Sequence, residues 1–225
     1  MGPIRIDLHV HSSRSPDSNL TLESIAARIV ERRLDGFALT DHNTVAGHVE
    51  LAGLRSRFPN LVLVPGAELS TNEGHLLAFG VSEVPGERLA AADAVAWVGS
   101  HGGVAVLAHP FRRSHGMGRA VSESLTGVGI EVVNGHNSST TNRLAQELAD
   151  RRGVSQTGGS DVHELSDVGR AFTEFPDGTR SVEAVLFALR NGHVRAGGSS
   201  LGLSGRLRVG WRSAWLRARR GFRPI

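Results

Sequence analysis

Acidic and imidazole side chains alternate near the start of the chain, in Asp7-Leu-His-Val-His11. A β-strand places residues two apart on one face, so Asp7, His9 and His11 are predicted to project together. Burying such groups unpaired would be costly, and a bound metal ion would compensate for that cost. A single His at a strand end is more often an ordinary hydrogen-bonded residue. The repeated spacing predicts a metal site.

Further potential ligands follow other predicted strands along the chain. Their segments are Thr40-Asp-His42, Gly66-Ala-Glu68, His75, Ala108-His-Pro110 and Ser160-Asp-Val-His163, with Asp17 in the Ser15-Pro-Asp-Ser18 turn. At three protein ligands for each ion, nine donors are enough for about three metal ions. The candidate metal ligands are His9, His11, Asp17, His42, Glu68, His75, His109, Asp161 and His163.

The elements that carry these residues alternate between short β-like runs and amphipathic helical stretches. The pattern predicts a parallel α/β sheet, and about seven such units indicate a closed or nearly closed barrel. A doubly wound open sheet is the alternative. Both folds place their sites at the carboxyl ends of the strands, where the potential ligands lie.

The composition narrows the class of protein. The 225 residues are 40% hydrophobic and include no Cys, so a disordered chain, disulfides and thiolate metal sites are excluded. No apolar run approaches the ~20 residues of a membrane-spanning helix, and the N-terminal residues lack the apolar core of a signal peptide. We expect a cytoplasmic protein whose catalytic domain covers residues 1–198.

Residues 199–225 form a separate basic tail in the sequence. They contain seven Arg and no acidic residue, whereas the rest of the chain carries a net negative charge. Two Trp, with Val209 and Leu216, lie among these Arg residues, which is typical of a basic amphipathic helix. Such a tail could bind nucleic acid, cover the bottom of the barrel or contact an anionic membrane.

The motifs resemble the PHP (polymerase and histidinol phosphatase) superfamily of metal-dependent phosphoesterases. Eight segments occur in the family's order, and the region from Val168 to about Gly197 is also similar. The segments are Asp7–His11, Ser15–Ser18, Leu39–Thr44, Pro65–Ser70, His75–Leu77, Ala108–Pro110, Ile130–Gly135 and Gly159–His163.

This resemblance implies a distorted (β/α)7 TIM-like barrel with two or three divalent metal ions, Mn, Zn or Fe. It groups the ligands around three ions, with Glu68 bridging the first two. The implied sets are His9, His11, Glu68 and Asp161 for the first, Glu68, His75 and His109 for the second, and Asp17, His42 and His163 for the third.

The activity implied is hydrolysis of phosphate esters by a metal-held hydroxide, with no catalytic residue separate from that centre. The expected substrates are nucleotides or the 5′ ends of short oligoribonucleotides. Two alternatives are a histidinol-phosphate phosphatase and a non-catalytic metal-binding module with a nucleic-acid-binding tail.

Other polar residues near the predicted strand ends have expected supporting roles. Asp7 and Asp41 are expected to orient metal ligands, although Asp41 could instead be a helix N-cap. Arg suits bidentate contacts to phosphate, and a solvated loop is the alternative for each Arg. The candidate substrate contacts are Arg112, Arg113, Asn134, His136 and Arg170.

Overall fold

The computed structural model describes residues 2–219. Within them, one continuous sheet contains nine strands: β1 (Ile4–Val10), β2 (Gly36–Leu39), β3 (Val62–Ser70), β4 (His75–Phe79), β5 (Val104–Leu107), β6 (Gly129–Asn134), β7 (Gln156–Gly159), β8 (Ala171–Phe175) and β9 (Arg195–Gly198). The helices are α1 (Leu22–Glu31), α2 (His48–Gly53), α3 (Ala91–Ser100), α4 (Gly118–Ser124), α5 (Ser139–Arg152), α6 (Val182–Arg190) and α7 (Leu203–Arg219). Two short 3-10 turns cover Leu54–Ser56 and Leu165–Asp167.

The sheet curves into a nearly closed barrel. Its strand order is β7-β6-β5-β4-β3-β2-β1-β8-β9, and β7 returns to lie beside β1 and β8. At this junction the Asp161 N–H donates to the His9 carbonyl at 2.8 Å, and the Gly158 N–H donates to Thr173 Oγ1 at 2.9 Å. The barrel therefore brings the ends of β1 and β7 together.

The predicted count of seven β/α units is not reproduced. Strands β4 and β8 run antiparallel to their neighbours on both sides, whereas the β1–β2–β3 and β5–β6–β7 pairings are parallel. Only residues 71–74 join β3 to β4, too few for the crossover that a parallel pair requires. The fold is thus a mixed α/β barrel.

Apolar residues of the strands and helices hold the barrel together. On β1, Ile4, Ile6 and Leu8 belong to a buried cluster that includes Phe79 and residues of α6. A second cluster joins β1 and β2 to the buried face of α1. The side chain of Thr21 caps α1 by accepting the Ser24 N–H at 3.2 Å, as its position in the sequence predicts.

Truncating Phe79 tests the contribution of this core. Phe79 is fully buried, so the Phe79→Ala protein should lose about 3–5 kcal/mol of unfolding free energy in urea denaturation. Phe187 on α6 is exposed, and Phe187→Ala should change stability by at most about 0.5 kcal/mol. Equal losses in the two variants would contradict this packing.

Candidate metal centre

All nine predicted metal ligands are buried and lie at one rim of the barrel. His9 is in β1, and His11 follows that strand directly. Strand β4 runs antiparallel, so its first residue, His75, reaches the same rim as Glu68 in β3. The residues that follow β2, β5 and β7 supply the other imidazoles and Asp161, and Asp17 lies in the loop between β1 and α1.

Glu68 lies at the centre of the group. Its Oε1 is 2.7 Å from His75 Nδ1 and 3.0 Å from His109 Nε2. Its Oε2 is 3.3 Å from the Nε2 atoms of both His9 and His11. The two oxygens of one carboxylate therefore face two separate sets of imidazoles, which is the arrangement expected of a ligand shared between two ions.

Asp161 completes the group around His9 and His11. Its Oδ1 is 3.6 Å from His9 Nε2 and 3.4 Å from His11 Nε2. The ligand atoms of these three residues lie within 4.8 Å of one another, close enough to share an ion.

A third group forms around Asp17. Its Oδ2 is 3.4 Å from His42 Nε2 and 3.1 Å from His163 Nε2. The Nδ1–H of His163 donates to the carbonyl of Asp161 at 2.8 Å, which leaves Nε2 directed at Asp17. His42 Nδ1 is also 3.1 Å from Glu68 Oε2, so His42 connects this group to the central carboxylate.

Hydrogen bonds on the far side of two rings direct their Nε2 atoms inward. His9 Nδ1 donates to Glu131 Oε1 at 2.9 Å, and His11 Nδ1 donates to Ser15 Oγ at 3.2 Å. The two Nε2 atoms then face each other at 3.1 Å. Two inward-facing nitrogens beside two carboxylates form a donor set that fits a divalent cation.

The electrostatics of the group agree with that fit. Burial disfavours a charged imidazole, yet Asp161 and Glu68 raise the pKa of His11 to about 10. Burial likewise disfavours a carboxylate, yet His75, His42 and His9 hold the pKa of Glu68 well below its usual value. Among the described residues, Glu68 Oε2 and His109 Nδ1 are buried and make no well-oriented hydrogen bond. The site therefore favours positive charge between its carboxylates. The two atoms without well-oriented hydrogen bonds are available to bind a cation.

Asp41 orients two of the candidate ligands through Ser15. The Ser15 hydroxyl donates to Asp41 Oδ1 at 2.6 Å and accepts from the His11 ring and the His42 N–H. The alternative N-cap role does not occur, since α2 begins at His48 with Gly47 as its cap. Asp7 accepts N–H groups of Ser160, Gly169 and His9, and burial raises its pKa to about 6.

Glu131 was not among the residues predicted for the site. This residue of β6 is fully buried, and its two oxygens accept from the His9 ring and, at 2.9 Å, from the His109 N–H. The signal was present in the sequence, because an acidic residue inside an otherwise apolar buried strand requires polar partners.

Two candidate ligands have a backbone conformation that is rare for their residue types. His109 has φ of +32° and Asp161 has φ of +57°. Each such residue costs about 1–3 kcal/mol, so the surrounding structure must hold it in place. The Glu131 carboxylate and the His9 carbonyl do so by accepting their N–H groups.

Of the predicted substrate contacts, Arg112 reaches the centre most directly. Its Nη2 donates to Asp161 Oδ2 at 2.6 Å and to Asn134 Oδ1 at 2.7 Å. Burial lowers the pKa of His109 to about 3, and the charge of Arg112 contributes to that lowering. Asn134 is buried, and its amide nitrogen donates to Glu131 and Asp161.

The remaining predicted contacts lie farther around the rim. His136 Nε2 is 3.3 Å from Asp167 Oδ2, and the His136 ring lies 5.3 Å from that of His163. Arg170 Nη2 is 3.8 Å from the other oxygen of Asp167. Asp167 therefore joins His136 and Arg170, whereas Arg113 is exposed.

Replacing Glu131 by Gln tests whether it orients His9. The amide keeps the shape but weakens the acceptor, so metal affinity should fall about 10–100-fold. Metal titration by calorimetry measures the change, with Glu147→Gln on the exposed face of α5 as the matched control. Unchanged affinity in the Glu131→Gln protein would show that the hydrogen bond does not support the site.

Known families match two parts of the chain. Residues 7–83 match the family described as PHP domain, and residues 139–194 match the one described as PHP-associated. Over 85 residues the chain is 40% identical to the 3′,5′-nucleoside bisphosphate phosphatase of Chromobacterium violaceum. That match spans 35% of this chain and 29% of that protein.

Solved structures share the fold. An amidohydrolase from Chromobacterium violaceum, with bound sulfate and no metal, has a TM-score of 0.64 at 23% identity, over 84% of this chain and 97% of that one. A candidate metal-dependent phosphoesterase from Bifidobacterium adolescentis has a TM-score of 0.63 at 17% identity, over 89% and 98%. Together, the fold, the candidate metal site and these matches support a metal-dependent phosphoesterase. One region of the chain is thus similar to the PHP domain and a second to the PHP-associated family.

Proposed function

We propose that this chain is a phosphomonoesterase that acts on nucleotides or on the 5′ ends of short oligoribonucleotides. The observation that carries the proposal is the Glu68 carboxylate, whose two oxygens face separate sets of imidazoles in a centre where Arg112 contacts Asp161. Such an arrangement suits a phosphoryl group, which must be neutralised on several oxygens at once.

Two or three divalent ions are proposed to bind at this centre. His9, His11, Glu68 and Asp161 would hold the first, and Glu68 would share the second with His75 and His109. Asp17, His42 and His163 would hold the third. Donors of nitrogen and oxygen without sulfur suit Mn, Zn or Fe. The bound ions would supply a nucleophile by lowering the pKa of water and would neutralise the phosphoryl oxygens.

The protein's own residues would position the substrate around these ions. Arg112 projects to the same carboxylate, Asp161, that contacts His9 and His11, so it is placed to bind a phosphoryl oxygen. Asn134 would fix Arg112 and Asp161 relative to each other, because its buried amide hydrogen-bonds to both. His136 and Arg170, linked by Asp167, would contact the rest of the substrate from the third group's side.

A cleft lined in part by Asn43, the residue after the candidate ligand His42, would hold the leaving group. Its lining includes Asn43, Ser70, Thr71, Arg88 and Leu89. Polar side chains beside an apolar one suit a nucleoside, which has hydroxyl groups and a flat base. The phosphatase relative from Chromobacterium violaceum, named for a nucleoside bisphosphate, supports the same substrate class.

Phosphate release from a panel of substrates tests the proposal. The panel contains AMP, adenosine 3′,5′-bisphosphate, a 5′-phosphorylated RNA dinucleotide, histidinol phosphate and p-nitrophenyl phosphate, each with Mn, Zn or Fe. Preferred turnover of a nucleotide or of the RNA supports the proposal. Preference for histidinol phosphate would favour the histidinol-phosphatase alternative over this proposal. No phosphate release from any substrate by the metal-loaded protein would favour a non-catalytic module.

We further propose that residues 1–198 form the catalytic domain and residues 199–225 an appended basic tail, of which residues 220–225 lie outside the described part. The composition without Cys supports a cytoplasmic location, since such proteins need no oxidising compartment. Among the described residues, no helix is both long and apolar enough to cross a membrane.

A further inference from the structure

Helix α7 carries a row of large apolar side chains that face away from the protein. They occur at every fourth position, so they follow one side of the helix. The exposed fractions are 65% for Leu203, 66% for Leu207, 79% for Trp211 and 47% for Trp215. These four residues are referred to as the α7 ridge. In the described part of the chain, the other large exposed apolar residues are scattered singly on different elements.

The opposite side of α7 attaches the helix to the barrel. Leu216 is buried, and Leu201, just before the helix, is buried and donates its N–H to the Gly135 carbonyl at 2.6 Å. Arg208 Nε lies 3.4 Å from Glu164 Oε2. Helix α7 is therefore anchored by one side and presents an apolar surface on the other.

The charge of α7 is entirely positive. Its 17 residues include five Arg and neither Asp nor Glu. The Arg219 guanidinium lies 4.7 Å from the centre of the Trp215 ring. An apolar ridge with Trp and Leu on a helix rich in Arg is the signature of helices that lie in the plane of a lipid interface.

We propose that the α7 ridge docks this protein on an anionic lipid surface. The ridge would enter the boundary between headgroups and acyl chains, and the Arg residues would contact lipid phosphates. A second copy of the chain fits less well, because pairing two ridges would bring ten Arg together without an acid on either helix. Nucleic acid also fits less well, since Leu203 and Leu207 offer no aromatic face on which bases stack.

Vesicle flotation of the full chain tests this docking. The chain should float with vesicles of phosphatidylcholine and phosphatidylglycerol, bind pure phosphatidylcholine vesicles much less, and lose binding as salt rises. Replacing Leu207 and Trp211 together by Glu should weaken binding to the anionic vesicles at least about tenfold. Both side chains are exposed, so circular dichroism and thermal midpoint should stay unchanged.

The control introduces one Glu at an exposed aromatic residue away from the ridge. Phe187→Glu on α6 should bind the anionic vesicles as the unmodified chain does. Failure of the unmodified chain to float, or equal binding by the Leu207→Glu/Trp211→Glu protein, would overturn the proposal. Ridge-dependent binding of RNA, or ridge-dependent dimers in sedimentation, without vesicle binding would assign the ridge to those partners instead. None of these results depends on the substrate proposed above.

Discussion

Replacing Glu68 with Ala should reduce phosphate release by roughly 10³-fold or more in a protein that remains folded. Glu68 contacts His75 and His109 through one oxygen and His9 and His11 through the other. Its removal takes a ligand from two proposed ions at once. Losing several kcal/mol of transition-state stabilisation from the metals corresponds to a rate loss of that size.

The Glu68→Gln protein separates the loss of charge from the loss of volume. The amide fills the same buried space, so a folding defect caused by a cavity would appear in Glu68→Ala alone. Both variants should lose turnover and bound metal together. Glu50→Ala on α2, at an exposed position, is the control and should retain both. Full turnover in a Glu68 variant would show that this residue is not part of the catalytic site.

Replacing Arg112 with Ala should lower kcat/KM for phosphate monoesters by about 10²–10³-fold, the usual effect of removing one charged donor to a transition-state oxygen. Arg112 is half-buried between Asp161 and Asn134, which limits its orientations. Lys would keep the charge but lose the paired donors, so Arg112→Lys should recover only part of the activity. Steady-state kinetics with a nucleotide substrate measures both variants.

A structural role for Arg112 predicts a different outcome. If it only held Asp161 in place, Arg112→Ala would lower metal affinity and excess metal would restore kcat/KM. Binding to phosphate instead predicts that the defect persists at saturating metal and that affinity for inorganic phosphate falls with it. Arg143→Ala on the exposed face of α5 should leave the kinetics unchanged.

Most residues of the candidate centre were predicted from the sequence, because the ligands lie at or after the ends of strands that share one rim of the sheet. Alternation in β1 brings His9 and His11 together, and their Nε2 atoms lie 3.1 Å apart. The identity of each shared set remains a prediction, since His42 lies near both Glu68 and Asp17. Glu131 was missed because its partners come from β1 and from the residues after β5, far away in sequence.

The fold was predicted less completely than the site. A short link after Ser70 indicates a hairpin, yet the apolar character of β3 and β4 is equally typical of parallel strands. Strands β8 and β9 were not predicted, because Ala171–Phe175 and Arg195–Gly198 carry no long apolar run and gain their pairing from β1 and from each other. Such pairings are decided by tertiary contacts rather than by local sequence.

Turnover is expected to depend on ions held at the Glu68 centre. The most direct measurement strips the protein with a chelator and titrates Mn, Zn or Fe back while recording bound metal and phosphate released from AMP or adenosine 3′,5′-bisphosphate. We expect the stripped protein to be inactive, and turnover to rise as two or three ions bind to each chain and to stay absent in Glu68→Ala. Full turnover by the stripped protein, or equal turnover by Glu68→Ala, would show that these ions are not required for the reaction.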